Sequence, residues 1–137
     1  EGGNIDHVIV STRGLYTIET KTRDRPPKGP GTVLFDGEAV SMNGGPPDSA
    51  PVIRARDQAE QLERLLREVT GRRFEVRPML VYPGWFVATT EAAGASGLLV
   101  VSPKGVYRHI KREPEILPPE TVSRTARQLA AFIRKQK

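Results

Sequence analysis

Two short strand-like segments open the chain. Residues 4–10 and 15–21 are rich in Val, Ile, Tyr and Thr, and residues 11–14 separate them. β-branched and aromatic residues favour strands, and a link of this length lets consecutive strands pair as neighbours. The pattern therefore predicts a strand pair at the start of the chain.

A second strand pair is predicted around Asp36 and Gly37. Residues 32–35 and 38–42 are mostly apolar and flank this Asp-Gly dipeptide, which is a strong signal for a two-residue hairpin turn. A second loop is predicted over residues 43–50.

A long amphipathic helix follows the loop. Apolar residues recur at spacings of four and three, which predicts a helix from about residue 49–51 to Thr70, with Gly71 as its stop. Gln58 falls on this apolar stripe, where a buried amide needs hydrogen-bond partners. The inward stripe is predicted to be Ala55, Ala59, Leu62, Leu66 and Val69.

The rest of the chain alternates between strands and helices. Strands are predicted over residues 74–82, 85–88 and 98–101, and helices over 103–111 and from Pro118 to the end. The last helix is expected to face inward with Val122, Ala126, Leu129 and Ile133. This order of elements predicts one α/β domain with a mixed sheet and helices packed on it.

The composition excludes some kinds of metal site and leaves several kinds of binding partner open. The chain has 137 residues and no cysteine, which excludes disulfides and thiolate metal sites, and its two histidines argue against a His-rich zinc centre. Any metal would be held by oxygen, which favours Mg²⁺ or Mn²⁺. The 21 Lys+Arg exceed the 16 Asp+Glu, for a net charge of +5, and 15 of the 21 are Arg. Such an excess suits nucleic acid as well as many other partners.

Three charges in the first strand pair are the main candidates for function. Glu19 and Lys21 are two residues apart, so a strand puts both on one face, and pairing of the strands would bring Asp6 near Glu19. Asp6, Glu19 and the backbone carbonyl of Thr20 could then hold one Mg²⁺, with Lys21 orienting or deprotonating a bound water or stabilising the oxyanion. An equally weighted alternative is a cross-strand ion pair between Asp6 and Lys21, with Glu19 facing water.

Further candidates surround this group. Gln58 is either a core amide or a hydrogen-bonding partner for the lysine or for a phosphate. The loop cations Arg23, Arg25 and Lys28 either bind a phosphate backbone or remain solvated. Trp85 and Phe86 favour a packing role over a surface on which bases stack. His7 and His109 are interpreted as structural.

These motifs together resemble those of the nuclease-related domain (NERD) family, a branch of the PD-(D/E)xK restriction-endonuclease-like superfamily. The resemblance rests on the strings GNIDHV at residues 3–8 and GLYTIETK at 14–21, and continues through 43–45, 51–58 and 76–82. It implies a central mixed sheet flanked by helices and a metal-dependent nuclease ancestry. By motif match, Asp6 is the first acid, Glu19 and Lys21 are the second acid and the lysine, and Gln58 is the helix glutamine.

Members of this family usually carry a helix and strand before the Ile-Asp-His strand, and that helix often holds another acid. Residues 1–137 are therefore expected to form a single nuclease-related domain that lacks the upstream helix and strand. The family also tends to sit beside other DNA-processing domains on a longer chain, which makes DNA and such domains the expected partners. A cytoplasmic location without membrane contact is expected for this segment, with an upstream anchor left open.

The leading hypothesis is a Mg²⁺- or Mn²⁺-dependent endonuclease that cuts DNA with a metal-activated water. The rival is a non-catalytic nucleic-acid-binding or assembly module that retains the nuclease scaffold. A third interpretation is a structural domain with a surface ion-pair cluster.

Overall fold

A computed structural model describes residues 5–22 and 31–136 of the chain. The predicted phosphate-binding residues Arg23, Arg25 and Lys28 lie outside the described residues. The strands are β1 (His7–Ser11), β2 (Gly14–Thr20), β3 (Thr32–Phe35), β4 (Val40–Met42), β5 (Val76–Val81), β6 (Phe86–Thr89) and β7 (Leu99–Val101). The helices are α1 (Ala50–Thr70), α2 (Pro103–Arg112) and α3 (Pro119–Lys135), and a 3₁₀ turn spans Glu91–Ala95.

The fold is α/β, as expected, with mixed sheets flanked by three helices, which is consistent with a restriction-endonuclease-like architecture. The described strands form two hydrogen-bonded sheets rather than the single central sheet that was expected. The larger has the order β1-β2-β5-β7, and the smaller has the order β4-β3-β6. Each sheet contains one antiparallel pair, β1 with β2 and β3 with β4, and its other pairs are parallel.

The predicted pairing of the first two strands is confirmed. His7 lies opposite Ile18 and Ser11 lies opposite Gly14, so the strands form a tight antiparallel hairpin. Gly14 has φ 142°, which a residue with a side chain rarely adopts. Because successive side chains of a strand alternate between faces, β2 divides its side chains into two sets. Leu15, Thr17 and Glu19 face α1, and Tyr16 faces the other side of the sheet with Arg77, its neighbour on β5.

The second hairpin forms, but its turn is longer than predicted. β4 begins at Val40 instead of Glu38, so residues 36–39 make the connection. The Asp36 carboxylate explains the difference, because its Oδ1 accepts the backbone amides of Glu38 and Ala39, both at 2.9 Å. These hydrogen bonds favour the charged form and hold the pKa of Asp36 below its ordinary value.

Helix α1 confirms the sequence pattern closely. It ends at Thr70, and Gly71 adopts the left-handed conformation with φ 76°. Four of the five predicted stripe residues are buried, and Val69 is only partly buried. The buried positions of the helix are Pro51, Val52, Ala55, Gln58, Ala59, Leu62 and Leu66. Truncating a buried leucine such as Leu62 to Ala would cost about 2–5 kcal/mol, so this stripe fixes α1 against β2 and β5.

The C-terminal helices depart more from the prediction. In α3 the buried residues are Thr121, Thr125 and Leu129, whereas Ala126 is exposed and Ile133 is 47% exposed. The helix is therefore rotated from the expected stripe, so that the two threonines, rather than Ala126 and Ile133, are buried where it meets α1 and β1. None of the described helices combines the length and apolar character required to cross a membrane.

Candidate functional site

Asp6 stands at the open end of the first hairpin. It is exposed, and its Oδ2 accepts the backbone N–H of Thr20 at 3.0 Å. His7 pairs with Ile18 in this antiparallel hairpin, so Asp6, one residue before His7, lies beside Glu19 and Thr20, which follow Ile18. The structure therefore places Asp6 next to the backbone of the Glu-x-Lys motif, as the pairing of the strands predicts.

Glu19 and Lys21 share one face of the sheet. The Lys21 Nζ lies 3.7 Å from the Glu19 Oε2, and the two side chains are 18% and 8% exposed. The Lys21 amide donates to the Val81 carbonyl at 2.8 Å, which continues the pairing of β2 with β5 one residue beyond the strand. The alternative in which Glu19 faces water is wrong, because Glu19 is buried and is itself the partner of Lys21.

Arg54 is a member of the site that the sequence did not single out. Its Nη1 lies 3.5 Å from the same Oε2 of Glu19, and its side chain is 54% exposed. The residue is in the second turn of α1, four positions before Gln58, and that spacing could have indicated a shared helix face. Glu19, the ion-pair partner of Arg54 on β2, is 35 positions away in sequence, so local spacing alone could not reveal the contact.

Gln58 lies one helical turn after Arg54 and is 3% exposed. It belongs to the face of α1 that packs against β2 and β5, which is the side of the sheet that carries Glu19. The structure thus brings Asp6, Glu19 and Lys21 together at the end of β2 and places Gln58 one helical turn beyond Arg54, the residue of α1 that contacts Glu19. The chemical roles of Asp6, Glu19, Lys21 and Gln58 remain predictions.

The oxygen atoms at the end of β2 suit a hard cation. Among the described residues, Asp6 and Glu19 each use one carboxylate oxygen in hydrogen bonds or ion pairs, Oδ2 and Oε2 respectively. The other oxygen of each is available, and carboxylates with a backbone carbonyl and water are ligands that Mg²⁺ accepts. No group of three or more acidic or histidine side chains that could hold a metal occurs within 5–22 and 31–136. A metal here would therefore depend on two carboxylates, with the Thr20 carbonyl and waters.

A second charged group lies on the other face of the sheet, at its opposite end. It borders a cleft of about 510 Å³ lined by Tyr16, Arg77, His109, Glu113 and apolar residues of β5, β7 and the 3₁₀ turn. Glu113 Oε1 lies 2.5 Å from Arg77 Nη1, and Oε2 lies 3.5 Å from His109 Nε2. Arg13 donates to the Glu113 carbonyl. These side chains satisfy one another, in keeping with the structural interpretation of His109.

Two pKa values in this second group are shifted, one by a hydrogen bond and the other by burial. The hydrogen bond to Glu113 raises the pKa of Arg77 above its ordinary value. Burial raises the pKa of the Tyr16 phenol, because desolvation disfavours the charged form. Both shifts keep the side chains in the forms that they hold at neutral pH, as expected of a stabilising network.

The two aromatic residues that follow β5, Trp85 and Phe86, differ in their exposure to solvent. Trp85 is buried and lies so close to Gly31 that a Cβ at residue 31 would come within 2.4 Å of the ring. Phe86 is 65% exposed. The packing role favoured for the pair holds for Trp85 and does not hold for Phe86.

Comparison with known proteins agrees with the geometry at the end of β2. A family model described as the nuclease-related domain matches residues 1–83, which include Asp6, Glu19, Lys21 and Gln58. No curated protein and no solved structure matches the chain.

Proposed function

The chain belongs to the nuclease-related domain family, and on that premise we propose that it is a Mg²⁺- or Mn²⁺-dependent endonuclease that hydrolyses DNA phosphodiester bonds with a metal-activated water. One observation carries the proposal: a buried glutamate contacts a largely buried lysine at 3.7 Å, at the strand end where Asp6 also lies. Burying such charges is costly, and a catalytic use explains why they are kept there.

The predicted site residues have separate roles in the proposed reaction. Asp6, Glu19 and the Thr20 carbonyl would hold the metal, which supplies a water of lowered pKa and offsets negative charge on the phosphate. Lys21 lies beside the Glu19 carboxylate, in contact with its Oε2, and would orient or deprotonate the attacking water, or stabilise the oxyanion. Gln58 hydrogen-bonds the lysine or the phosphate.

Arg54 adds a function that the motif alone does not contain. It helps to neutralise Glu19, and its half-exposed guanidinium can also reach an incoming phosphate. A divalent metal held by the carboxylates would share the charge of Glu19 with Arg54 and Lys21. Arg54 would then be available to bind the DNA backbone, so we propose that it couples metal binding to substrate binding.

Cleavage of supercoiled plasmid DNA tests the proposal. Wild type is incubated with Mg²⁺ or Mn²⁺, with and without EDTA, beside Glu19→Ala and Lys21→Ala. A matched control is Glu68→Ala, which removes an exposed glutamate of α1. We expect metal-dependent nicking by wild type and by the control, and none by the two site variants. If Glu19→Ala and Lys21→Ala cut as fast as wild type, the assignment of the site is wrong.

A second candidate is a nucleic-acid-binding module that has kept the nuclease scaffold without its activity. The pair of cations on the Glu19 Oε2, and a site with only two carboxylates among the described residues, favour this alternative. It predicts salt-sensitive DNA binding that survives Asp6→Asn and Glu19→Gln and no cleavage in any divalent metal.

A further inference from the structure

We propose that helix α2 presents a binding surface for the phosphate backbone of duplex DNA, separate from the site around Glu19. The surface, called here the α2 basic face, consists of Lys104, Tyr107, Arg108, Lys111 and Arg112. It lies beyond residues 1–83, where the family model matches.

The spacing of these residues places them together. At about 100° of rotation per residue, positions 104, 107, 108, 111 and 112 fall within an arc of about 140° on one side of the helix. All five are exposed, and Tyr107 is 69% exposed. The Lys111 Nζ lies 5.3 Å from the centre of the Tyr107 ring, so the cation and the ring form one continuous surface.

The charge of this face is not neutralised nearby. Residues 103–112 contain no Asp or Glu. In the part of the chain that the structure describes, none of the four cations makes an ion pair with a carboxylate. The two glutamates that follow the helix are engaged elsewhere: Glu113 pairs with Arg77 and His109, and Glu115 lies 3.9 Å from Arg13.

The helix is held firmly in its orientation. A Cβ at Gly105 would come within 2.7 Å of the Val101 side chain, so the glycine allows the first turn to pack directly on β7. At the other end, Glu113 connects the helix to Arg77 of β5 at 2.5 Å and to Arg13 through its backbone carbonyl. The basic residues are therefore presented on a fixed scaffold, which lowers the entropic cost of binding.

Phosphates are the partner that this chemistry fits best. The backbone of α2 rises about 10 Å between Lys104 and Lys111, close to the rise of about three base pairs of duplex DNA. Arg forks and Lys point charges both bind phosphate oxygens, and an exposed Tyr hydroxyl can add a hydrogen bond. The exposed face of α1 differs, because it mixes Asp57 and Glu60 with Arg64 and Arg67.

The start of helix α2 lies at the same end of the sheet as the proposed cleavage site. Thr20 lies beside Val81 and Val81 lies beside Val101, so β2, β5 and β7 end at one edge of the sheet. Lys21 follows β2 at this edge, and α2 starts two residues after β7. The inference rests on the proposed function for the choice of DNA as the polyanion.

Fluorescence anisotropy with a labelled 20-base-pair duplex in EDTA tests this surface without cleavage. Arg108→Gln/Lys111→Gln is compared with Arg64→Gln/Arg67→Gln, which removes two exposed cations at the same spacing from α1. Gln has nearly the helix propensity of Arg and Lys, and circular dichroism checks the fold. Lys104→Gln/Arg112→Gln is a second variant of the same face.

The logarithm of the association constant falls linearly with the logarithm of the salt concentration, and each phosphate contact contributes about 0.9 to the steepness of the fall. Losing two contacts should therefore make the slope shallower by about 1.8. Between 50 and 200 mM salt, the Kd of both α2 variants should therefore increase by a factor about ten times smaller than the Kd of wild type. Both variants should also bind more weakly than wild type at 50 mM salt. The Kd of the α1 variant should stay within about twofold of wild type.

Two results would overturn the inference: α2 variants that bind like wild type, or an α1 variant that loses as much affinity as they do. The outcome is separable from the proposed activity. DNA binding through α2 without cleavage in Mg²⁺ or Mn²⁺ would reject the endonuclease and keep the surface. Metal-dependent cleavage by wild type, together with α2 variants that bind DNA as wild type does, would support the endonuclease and reject the α2 surface.

Discussion

Two charged clusters on the larger sheet are built from similar residues and differ in how completely they are paired. The Glu113 cluster consists of Arg13, Arg77, His109 and Glu113, and the Glu19 cluster consists of Asp6, Glu19, Lys21 and Arg54. In the first, both carboxylate oxygens and the backbone carbonyl of Glu113 have partners. In the second, Glu19 is more deeply buried, yet its cations lie at 3.5 and 3.7 Å and contact a single oxygen.

The contrast separates charges that hold the fold from charges that are available for chemistry. Glu113 connects the end of α2 to β5 and to the turn between β1 and β2, so its contacts join elements that are distant in sequence. Glu19 joins only the end of β2 to α1 and leaves an oxygen available. A buried carboxylate that is incompletely paired is costly for stability, and sites of this kind are typical of function.

The largest expected difference between the clusters is in activity. Glu19→Gln keeps the shape of the side chain and removes the charge that would hold a metal, so plasmid cleavage should fall by about 10²–10³-fold or more, the range seen when a group that stabilises a transition state is lost. Glu113→Gln should cut within a few-fold of wild type per folded molecule. Equal losses in both variants would mean that the two clusters do not differ in function.

Stability should show the opposite ranking. Glu113→Ala leaves Arg77 and His109 without their shared partner, and we expect a loss of about 1–3 kcal/mol in the free energy of unfolding, a range limited by water that reaches the partly exposed Arg77. Glu19→Gln should change the free energy of unfolding by less than about 1 kcal/mol, because both ion pairs are long and a neutral amide costs less to bury than a carboxylate, which offsets the loss of the Lys21 and Arg54 contacts. Urea denaturation of both variants measures the two values, and a larger loss in Glu19→Gln would reverse the comparison.

The smallest expected effect is on stability at high pH. The pKa of Tyr16 is raised in the fold by burial, so its stabilising contribution is fully present below the unfolded pKa of about 10 and is lost as pH rises through the folded pKa. The free energy of unfolding should therefore decline above about pH 10 more steeply in wild type than in Tyr16→Phe. Denaturation of both proteins between pH 8 and 12 measures the difference, and parallel curves would show that the phenol does not titrate in this way.

Features set by local periodicity could be predicted from the sequence, and features set by distant partners could not. A period of two placed Glu19 and Lys21 on one face, and a helical stripe ending at Gly71 located α1 and its buried Gln58. Arg54 and Glu113 acquire their roles from residues 35 and 36 positions away, which no short pattern encodes. The predicted stripe of α3 was wrong for a different reason: Thr121 and Thr125 count as polar in a hydropathy pattern, and yet both are buried.

We propose that Asp6 and Glu19 together bind a divalent metal, and the proposed catalytic function depends on this binding. Titration of Mn²⁺ into wild type, followed by the electron paramagnetic resonance signal of the free ion, measures this directly. We predict one site per chain that is lost in Asp6→Asn and in Glu19→Gln and is kept in Glu113→Gln. Mn²⁺ binding that is absent from wild type, or that survives both site substitutions unchanged, would contradict the claim.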